Sequence, residues 1–363
     1  MKGKRMSNYK TDVTIVLPSL NPDEKFLGVV KGLVEEGFAD IVIVNDGSDA
    51  DHVTWFEQAA AMPGTHVLVH EVNKGKGRAL KDAFAFVAEH RPNSKGVVTI
   101  DGDGQHLRKD IGACAKAMLE HEDKVIMGCR DFNAPDIPAR SRGGNKFTSR
   151  LFKYGCGIVL SDTQTGLRAI PKQYLKDFCD IKGERFEYET NMLLQMKRKG
   201  IEFVEVSIAT VYEGENEGSH FRPIVDSYKI MKLIFIHMLG TFFRYMISAG
   251  TSFVLDLGIY YLALQFGKVS ILAATVIARV SSSFYNFNMN RKLVFKSEEG
   301  YGKTMVRYYA LCVVQMLVSA GLVTLVNGFI PGGAGVATVI KAVVDTCLFV
   351  ISYQIQKHWV FKK

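Results

Sequence analysis

Four apolar runs, each long enough to cross a bilayer, fill the last third of the chain: Tyr245–Phe266, Val269–Asn286, Tyr308–Ile330 and Val336–Tyr353. As helix, at about 1.5 Å per residue, such runs reach roughly 27–35 Å, against a hydrocarbon core of about 30 Å. Backbone polar groups in lipid must be satisfied within the segment, so helices are what this third can form. Charge follows the same division. Residues 241–363 hold 12 Lys+Arg against 4 Asp+Glu, while the remainder balances at 33 against 33. The net charge of +8 therefore belongs to the apolar third, which argues against a nucleic-acid partner and for membrane helices flanked by basic loops. The 291–307 loop carries Arg291, Lys292, Lys296, Lys303 and Arg307, and the tail carries Lys357, Lys362 and Lys363. The short connections on the other side hold only Lys268. An integral protein of the inner (cytoplasmic) membrane is expected, with four spans and with the N-terminal domain and both termini cytosolic. The polar start, with no apolar stretch, and six irregularly spaced cysteines agree with that side.

Before residue 240 the texture is that of an α/β domain. β-branched runs at 13–17, 41–44, 67–69, 97–100 and 125–127 alternate with helix-length stretches at 24–36, 52–61, 76–90 and 109–121. That alternation predicts a largely parallel sheet, with ligands bound beyond the carboxyl ends of its strands. Pro18, Asp46 and Asp101 each lie at such an end. Asp101-Gly102-Asp103-Gly104-Gln105-His106 sets two carboxylates close together, a charge arrangement that a hard divalent cation relieves. Val44-Asn45-Asp46-Gly47-Ser48-Asp49 by itself reads as a plain turn, although its carboxylate can accept from a base or ribose. Asn73-Lys74-Gly75-Lys76-Gly77-Arg78-Ala79 opens a helix with two glycines and three cations, which suits a phosphate.

Together these three elements resemble the A-type (GT-A, Rossmann-like nucleotide-diphospho-sugar transferase) fold of glycosyltransferase family 2. The branch is that of polyprenyl-phosphate sugar transferases, similar to dolichol-phosphate mannose synthase. Asp162-Thr-Gln-Thr-Gly166-Leu-Arg168 resembles that branch's D-x-x-[ST]-G-[FL]-R run. Ser219-His220-Phe221-Arg222-Pro223-Ile-Val-Asp226-Ser227 resembles its S-H-F-x-P-x-x-D-S element. Residues 241–363 resemble the GtrA-like membrane family, on the N-x-N-R-x-x-V-F ending at Asn288–Phe295. The resemblance implies a cytosolic transferase domain (1–227) and a four-helix membrane domain (245–363); between them the apolar stretch 228–244, punctuated by Lys229, Lys232, His237 and Arg244, reads as an interfacial juxtamembrane helix, or alternatively as a cytosolic extension of the first span.

It also implies roles. Asp101, Asp103 and Gln105 would hold Mg²⁺ or Mn²⁺ on the donor diphosphate. Pro18, Asp46 and Lys74 would join Asp101 around the nucleotide-diphospho-sugar, which is UDP-glucose, UDP-N-acetylglucosamine or GDP-mannose. Arg130, Arg140 and Arg142 would clamp the acceptor phosphate of an undecaprenyl- or dolichyl-type lipid. The run from Ile137 to Ser161 has five cations and no acid, in keeping with an anionic lipid headgroup. An inverting, metal-dependent transfer is expected. The alternative is a lipid-linked-sugar flippase with the soluble domain as loader. A processive polysaccharide synthase would need a Q-x-x-R-W element, and neither Trp55 nor Trp359 sits in one.

The membrane part repeats internally. Asn288–Lys296 resembles Gln354–Lys362 at an offset of 66, and Arg244-Tyr245 resembles Arg307-Tyr308 at an offset of 63. Two helical hairpins in the same orientation are expected. Asp256, Arg279, Lys341 and Asp345 fall inside the spans, where charges pair or mark a polar path. Arg279 with Asp345, and Asp256 with Lys341, are the expected pairs. Buried charge on short spans also favours a homo-oligomer.

Overall fold

The computed structural model describes residues 8–133, 137, 139–209, 223–267, 269–330 and 334–362, and its chain divides into two units, Met1–Phe235 and Ile236–Lys363. The S-H-F element through Arg222 lies outside the described residues, as does the side chain of Arg140.

In the first unit each β-branched run becomes a strand: β1 (Thr14–Ser19), β2 (Ile41–Asp46), β3 (Thr65–His70), β4 (Gly96–Thr99) and β5 (Val125–Arg130). Two strands not foreseen, β6 (Arg168–Pro171) and β7 (Phe203–Ile208), join them in the order β3-β2-β1-β4-β6-β5-β7. The sheet is mixed rather than uniformly parallel, because β6 runs antiparallel to both β4 and β5. The connecting helices are α1 (Glu24–Glu36), α2 (Val53–Ala60), α3 (Lys76–His90), α4 (Arg108–Glu120), α5 (Ala139–Leu151), α6 (Lys172–Cys179) and α7 (Glu187–Lys199). Ile15, Leu17, Ile41, Ile43, Val98 and Ile126 are fully buried, as continuous apolar strands covered on both faces must be. The chain proceeds from β1 outward to β2 and β3, then returns to place β4 on the other side of β1. That reversal opens a crevice at the carboxyl ends of β1 and β4, where a doubly wound sheet binds its ligands.

The second unit is helical. Its helices are the second part of α8 (Pro223–Gln265), α9 (Ile271–Met289), α10 (Tyr301–Phe329) and α11 (Ala334–Ile355). Three described segments are long and apolar enough to cross a membrane: Met231–Gln265, Tyr301–Phe329 and Gly335–Val360. α9 is not among them, since Arg279, Ser281–Ser283 and two asparagines dilute its apolar character. The stretch 228–244, expected as an interfacial helix or as an extension of the first span, is carried without a break inside α8, as the second of these has it; no proline interrupts it.

The repeat is visible in detail. α9 and α11 each end in a five-residue π-turn, Asn290–Val294 and Gln356–Val360. In both turns the next phenylalanine amide closes the ring: Phe295 donates to the Asn290 carbonyl and Phe361 to that of Gln356, each at 2.8 Å. Asn290 Nδ2 donates to Gln356 Oε1 at 3.0 Å, joining equivalent residues of the two hairpins. Tyr308 donates to Asn286 Oδ1 at 2.8 Å, and Gln356 Nε2 donates to the Tyr245 hydroxyl at 3.1 Å. Around these polar contacts Phe287, Phe295, Tyr353 and Phe361 form an aromatic core. Asn290→Leu is expected to cost about 1 kcal/mol, and the Asn290→Leu/Gln356→Leu double variant less than the sum of the singles. Unfolding in detergent of the four members of this cycle tests the pairing, and strict additivity would contradict it.

The intramembrane charges pair differently from expectation. Asp256 lies 3.8 Å from Arg279, and Asp345 lies 2.7 Å from Lys341 on its own helix. Ser282 donates to Asp256 at 2.8 Å, and Ser319 donates to Asp345 at 2.5 Å. Each carboxylate is thus satisfied within its own hairpin, by a serine on the sister helix and a cation nearby. Those partners are closer in the fold than the charges of the other repeat.

Candidate functional site

Asp101 follows β4 at the reversal crevice. Its Oδ1 lies 2.7 Å from Lys76 Nζ at the start of α3, and its Oδ2 lies 3.6 Å from His106 Nε2. Lys76 also reaches Glu189 Oε1 on α7, at 3.4 Å. Burial opposes the charge of Asp101, yet Lys76 and then His106 hold its carboxyl well below the usual carboxylate range. For Lys76 burial works against the ammonium, but Asp101 and Glu189 keep it charged and above its ordinary range. Asp103 shows the opposite balance. Burial, then the neighbouring Asp101 charge, push its carboxyl above the ordinary value. Its Oδ1 accepts the Gln105 amide at 3.0 Å, so the loop folds around it.

This asymmetry bears on a metal. Asp101 has a cation against it, whereas at Asp103 burial and the Asp101 charge outweigh the weaker pull of His106 and Lys76. A hard divalent ion on Asp103, Asp101 and Gln105 would reverse the penalty, and two carboxylates plus substrate phosphates suffice for Mg²⁺. Among the described residues no group of three or more His, Cys, Asp or Glu side chains could hold a metal by itself. A cation held there would need donor oxygens to complete its coordination.

Asp46 ends β2 and is buried. Its Oδ1 accepts from the Lys74 amide at 3.0 Å and its Oδ2 from the Gly75 amide at 2.7 Å, while His70 Nδ1 lies 2.7 Å from Oδ1. It thereby fixes the glycine-rich turn, a task its place in the sequence did not disclose. The glycines of that turn serve packing. A Cβ at Gly77 would lie 2.5 Å from the Tyr188 Cβ, so α3 can start against the 184–188 segment only without one. The turn places the Lys76 head, rather than that of Lys74, against the carboxylates. Pro18 lies in β1, paired with Val44.

Arg130 ends β5. Its Nε donates to Asp162 Oδ2 at 2.7 Å and its Nη2 to Oδ1 at 3.2 Å, a two-pronged pair with a fully buried carboxylate. Arg130 lines a cavity of about 560 Å³ with Asn145, Lys146, Ser149, Arg150 and Glu205. Arg142 is not brought to that cavity; it donates to the Ile137 carbonyl at 3.2 Å. The cations that α5 does deliver there are Lys146 and Arg150, one helical turn apart.

The run Asp162–Arg168 joins the two halves of the site. At one end Asp162 holds Arg130. Further on, Gly166 meets Asp101 so closely that a Cβ would lie 2.3 Å from Asp101 Oδ2. Thr99 Oγ1 donates to the Gly166 carbonyl at 2.8 Å, which keeps that contact in place. Arg168, fully buried, then opens β6 opposite Thr99.

Comparison with known proteins agrees with this arrangement. An uncharacterized protein of Methanocaldococcus jannaschii is 30% identical over 62% of this chain and 92% of its own length. The UDP-N-acetylglucosamine–dolichyl-phosphate N-acetylglucosaminyltransferase of Methanococcus voltae is 26% identical over 55% of this chain and 86% of its own. An undecaprenyl-phosphate 4-deoxy-4-formamido-L-arabinose transferase of Enterobacter sp. is 24% identical over 86% of this chain and 95% of its own. Residues 244–361 match the GtrA/DPMS transmembrane domain, so the chain is a membrane protein. Residues 14–195, half of the chain, match glycosyl transferase family 2, and with the carboxylates and cations so disposed the protein is a glycosyltransferase that belongs to that family.

Proposed function

We propose that this protein transfers a sugar from a nucleotide-diphospho-sugar to a polyprenyl phosphate at the cytosolic membrane face, with inversion at the anomeric carbon. The observation that carries the reading is the conjunction, in one domain, of the Asp101–Asp103–Gln105 loop at the sheet reversal and the cation-lined cavity at Arg130. The fused membrane domain and the polyprenyl-phosphate transferases among the relatives support the lipid acceptor. A Mg²⁺ or Mn²⁺ ion held by Asp101, Asp103 and Gln105 would neutralise the departing diphosphate. Pro18, Asp46 and the turn at Lys74 border the nucleotide. Arg130, with Lys146 and Arg150, binds the acceptor phosphate and orients one of its oxygens toward the sugar. That phosphate is already ionised at neutral pH, so attack needs positioning rather than a general base.

In the membrane domain α9 crosses as a fourth span, with the Asp256 carboxylate 3.8 Å from its Arg279. Four spans return the tail to the cytosolic side, where the basic 291–307 loop also lies. The test is a donor panel. Detergent-purified protein, undecaprenyl phosphate and Mn²⁺ or Mg²⁺ are incubated with UDP-glucose, UDP-N-acetylglucosamine or GDP-mannose. Lipid-linked sugar is expected with one donor and without sealed vesicles. No product from any of them would count against the reading.

A further inference from the structure

We propose that Lys76 is a positioning residue that reserves Asp101 for the donor: its ammonium occupies the carboxylate until a diphosphate draws it away, so that cation and nucleotide-sugar bind as one event. The inference rests on the metal and diphosphate reading above and adds an order to it.

Three observations lead there. First, Lys76 Nζ lies 2.7 Å from Asp101 Oδ1, the carboxylate that opens the Asp-Gly-Asp loop. An ammonium on that oxygen disfavours a dication at the same carboxylate, because the two repel. Second, the base of Lys76 is fixed by backbone hydrogen bonds, while its head is held only by ion pairs at the end of a flexible stem. Gly75 is tied through its amide to Asp46, and the Arg78 amide donates to the Glu184 carbonyl at 3.0 Å. From that fixed base a four-carbon stem can swing its ammonium by several ångströms with no backbone movement. Glu189, 3.4 Å from Nζ, provides a second anchor and confines the swing to the crevice. Third, the protein side chains do not complete a metal site alone among the described residues. The ligands still needed are phosphate oxygens, and a diphosphate is also the anion that competes with Asp101 for Lys76. One ligand thus supplies the missing coordination and removes the blocking charge.

The exchange breaks no covalent bond. Lys76 passes from carboxylate to phosphate, and Asp101 passes from ammonium to metal, with the charges matched before and after.

The test uses Mn²⁺ alone as probe, on the full-length protein in detergent, read from the loss of the free-ion electron paramagnetic resonance signal. Wild type is expected to bind Mn²⁺ weakly without nucleotide. Lys76→Gln, which removes the charge and keeps a polar side chain, is expected to bind it at least tenfold more tightly. Lys76→Arg, which keeps the charge, is expected to resemble wild type. In turnover, Lys76→Gln should raise the donor KM, since the diphosphate loses a cation. Equal Mn²⁺ affinity in wild type and Lys76→Gln would overturn the proposal, as would Lys76→Arg behaving like the glutamine. If Mn²⁺ binds none of these proteins, with or without UDP or GDP, the metal reading falls and this inference with it. Matching melting temperatures among the three proteins exclude misfolding as the cause of either result.

Discussion

Replacing Asp103 with alanine is expected to cut sugar transfer by about 10²-fold or more, from the several kcal/mol that a bound cation contributes to a developing charge. The melting temperature should stay near wild type. Asp103 makes one local hydrogen bond, to the Gln105 amide, and its carboxyl is held above the ordinary range by burial and by Asp101. Its removal therefore relieves repulsion rather than breaking a packed core. The same raised carboxyl gives a pH signature. A protonated Asp103 competes with the metal, so Mn²⁺ affinity should rise with pH through a window above the usual carboxylate range, then level off. Asp103→Ala should lose that rise. Near wild-type synthesis of lipid-linked sugar by the purified variant would sink the metal assignment.

Gly166→Ala is expected to be nearly as damaging, although it adds one methyl group away from any reacting atom. The new Cβ would lie 2.3 Å from Asp101 Oδ2 and 3.1 Å from its Cγ. Glycine's carbonyl is pinned by Thr99, so the backbone cannot retreat and the carboxylate must turn away. A displacement of about 1 Å in a positioned group costs on the order of 10²-fold in rate. Overpacking should also lower stability by about 1–3 kcal/mol. Activity, Mn²⁺ binding and a thermal melt on one preparation separate these effects. Transfer within threefold of wild type would mean that Asp101 does not need its observed place.

The sheet was legible where its strands are uniformly β-branched. Val13–Leu17 and Ile41–Val44 are buried on both faces, and such runs announce themselves. β6 did not, because it begins with a buried arginine and ends with a proline, and its antiparallel direction depends on contacts with β4 and β5. In the site, the spacing placed two carboxylates close together after β4, while the role proposed for them came from the family resemblance. The partner of Asp101 was not legible: Lys76 and Lys74 are equivalent in sequence, and only the packing of the turn on Tyr188 separates them. The position of Arg142 outside the Arg130 cavity was hidden for a similar reason. Helical phase on α5 delivers Lys146 and Arg150 to the cavity instead. The internal repeat was read correctly from the matching endings, yet the charge pairing was not. An offset identifies equivalent positions, which in a duplicated hairpin need not touch each other.

The short run from Asp162 to Gly166 is a covalent tie between the two parts of the proposed site. One end holds Arg130, proposed for the acceptor, and the other abuts Asp101, proposed for the donor. Donor and acceptor specificity should therefore be hard to re-engineer separately. A substitution that resizes the Arg130 cavity will be felt at Asp101, and paired changes on the two sides should depart from additivity although no side chain spans the distance between them.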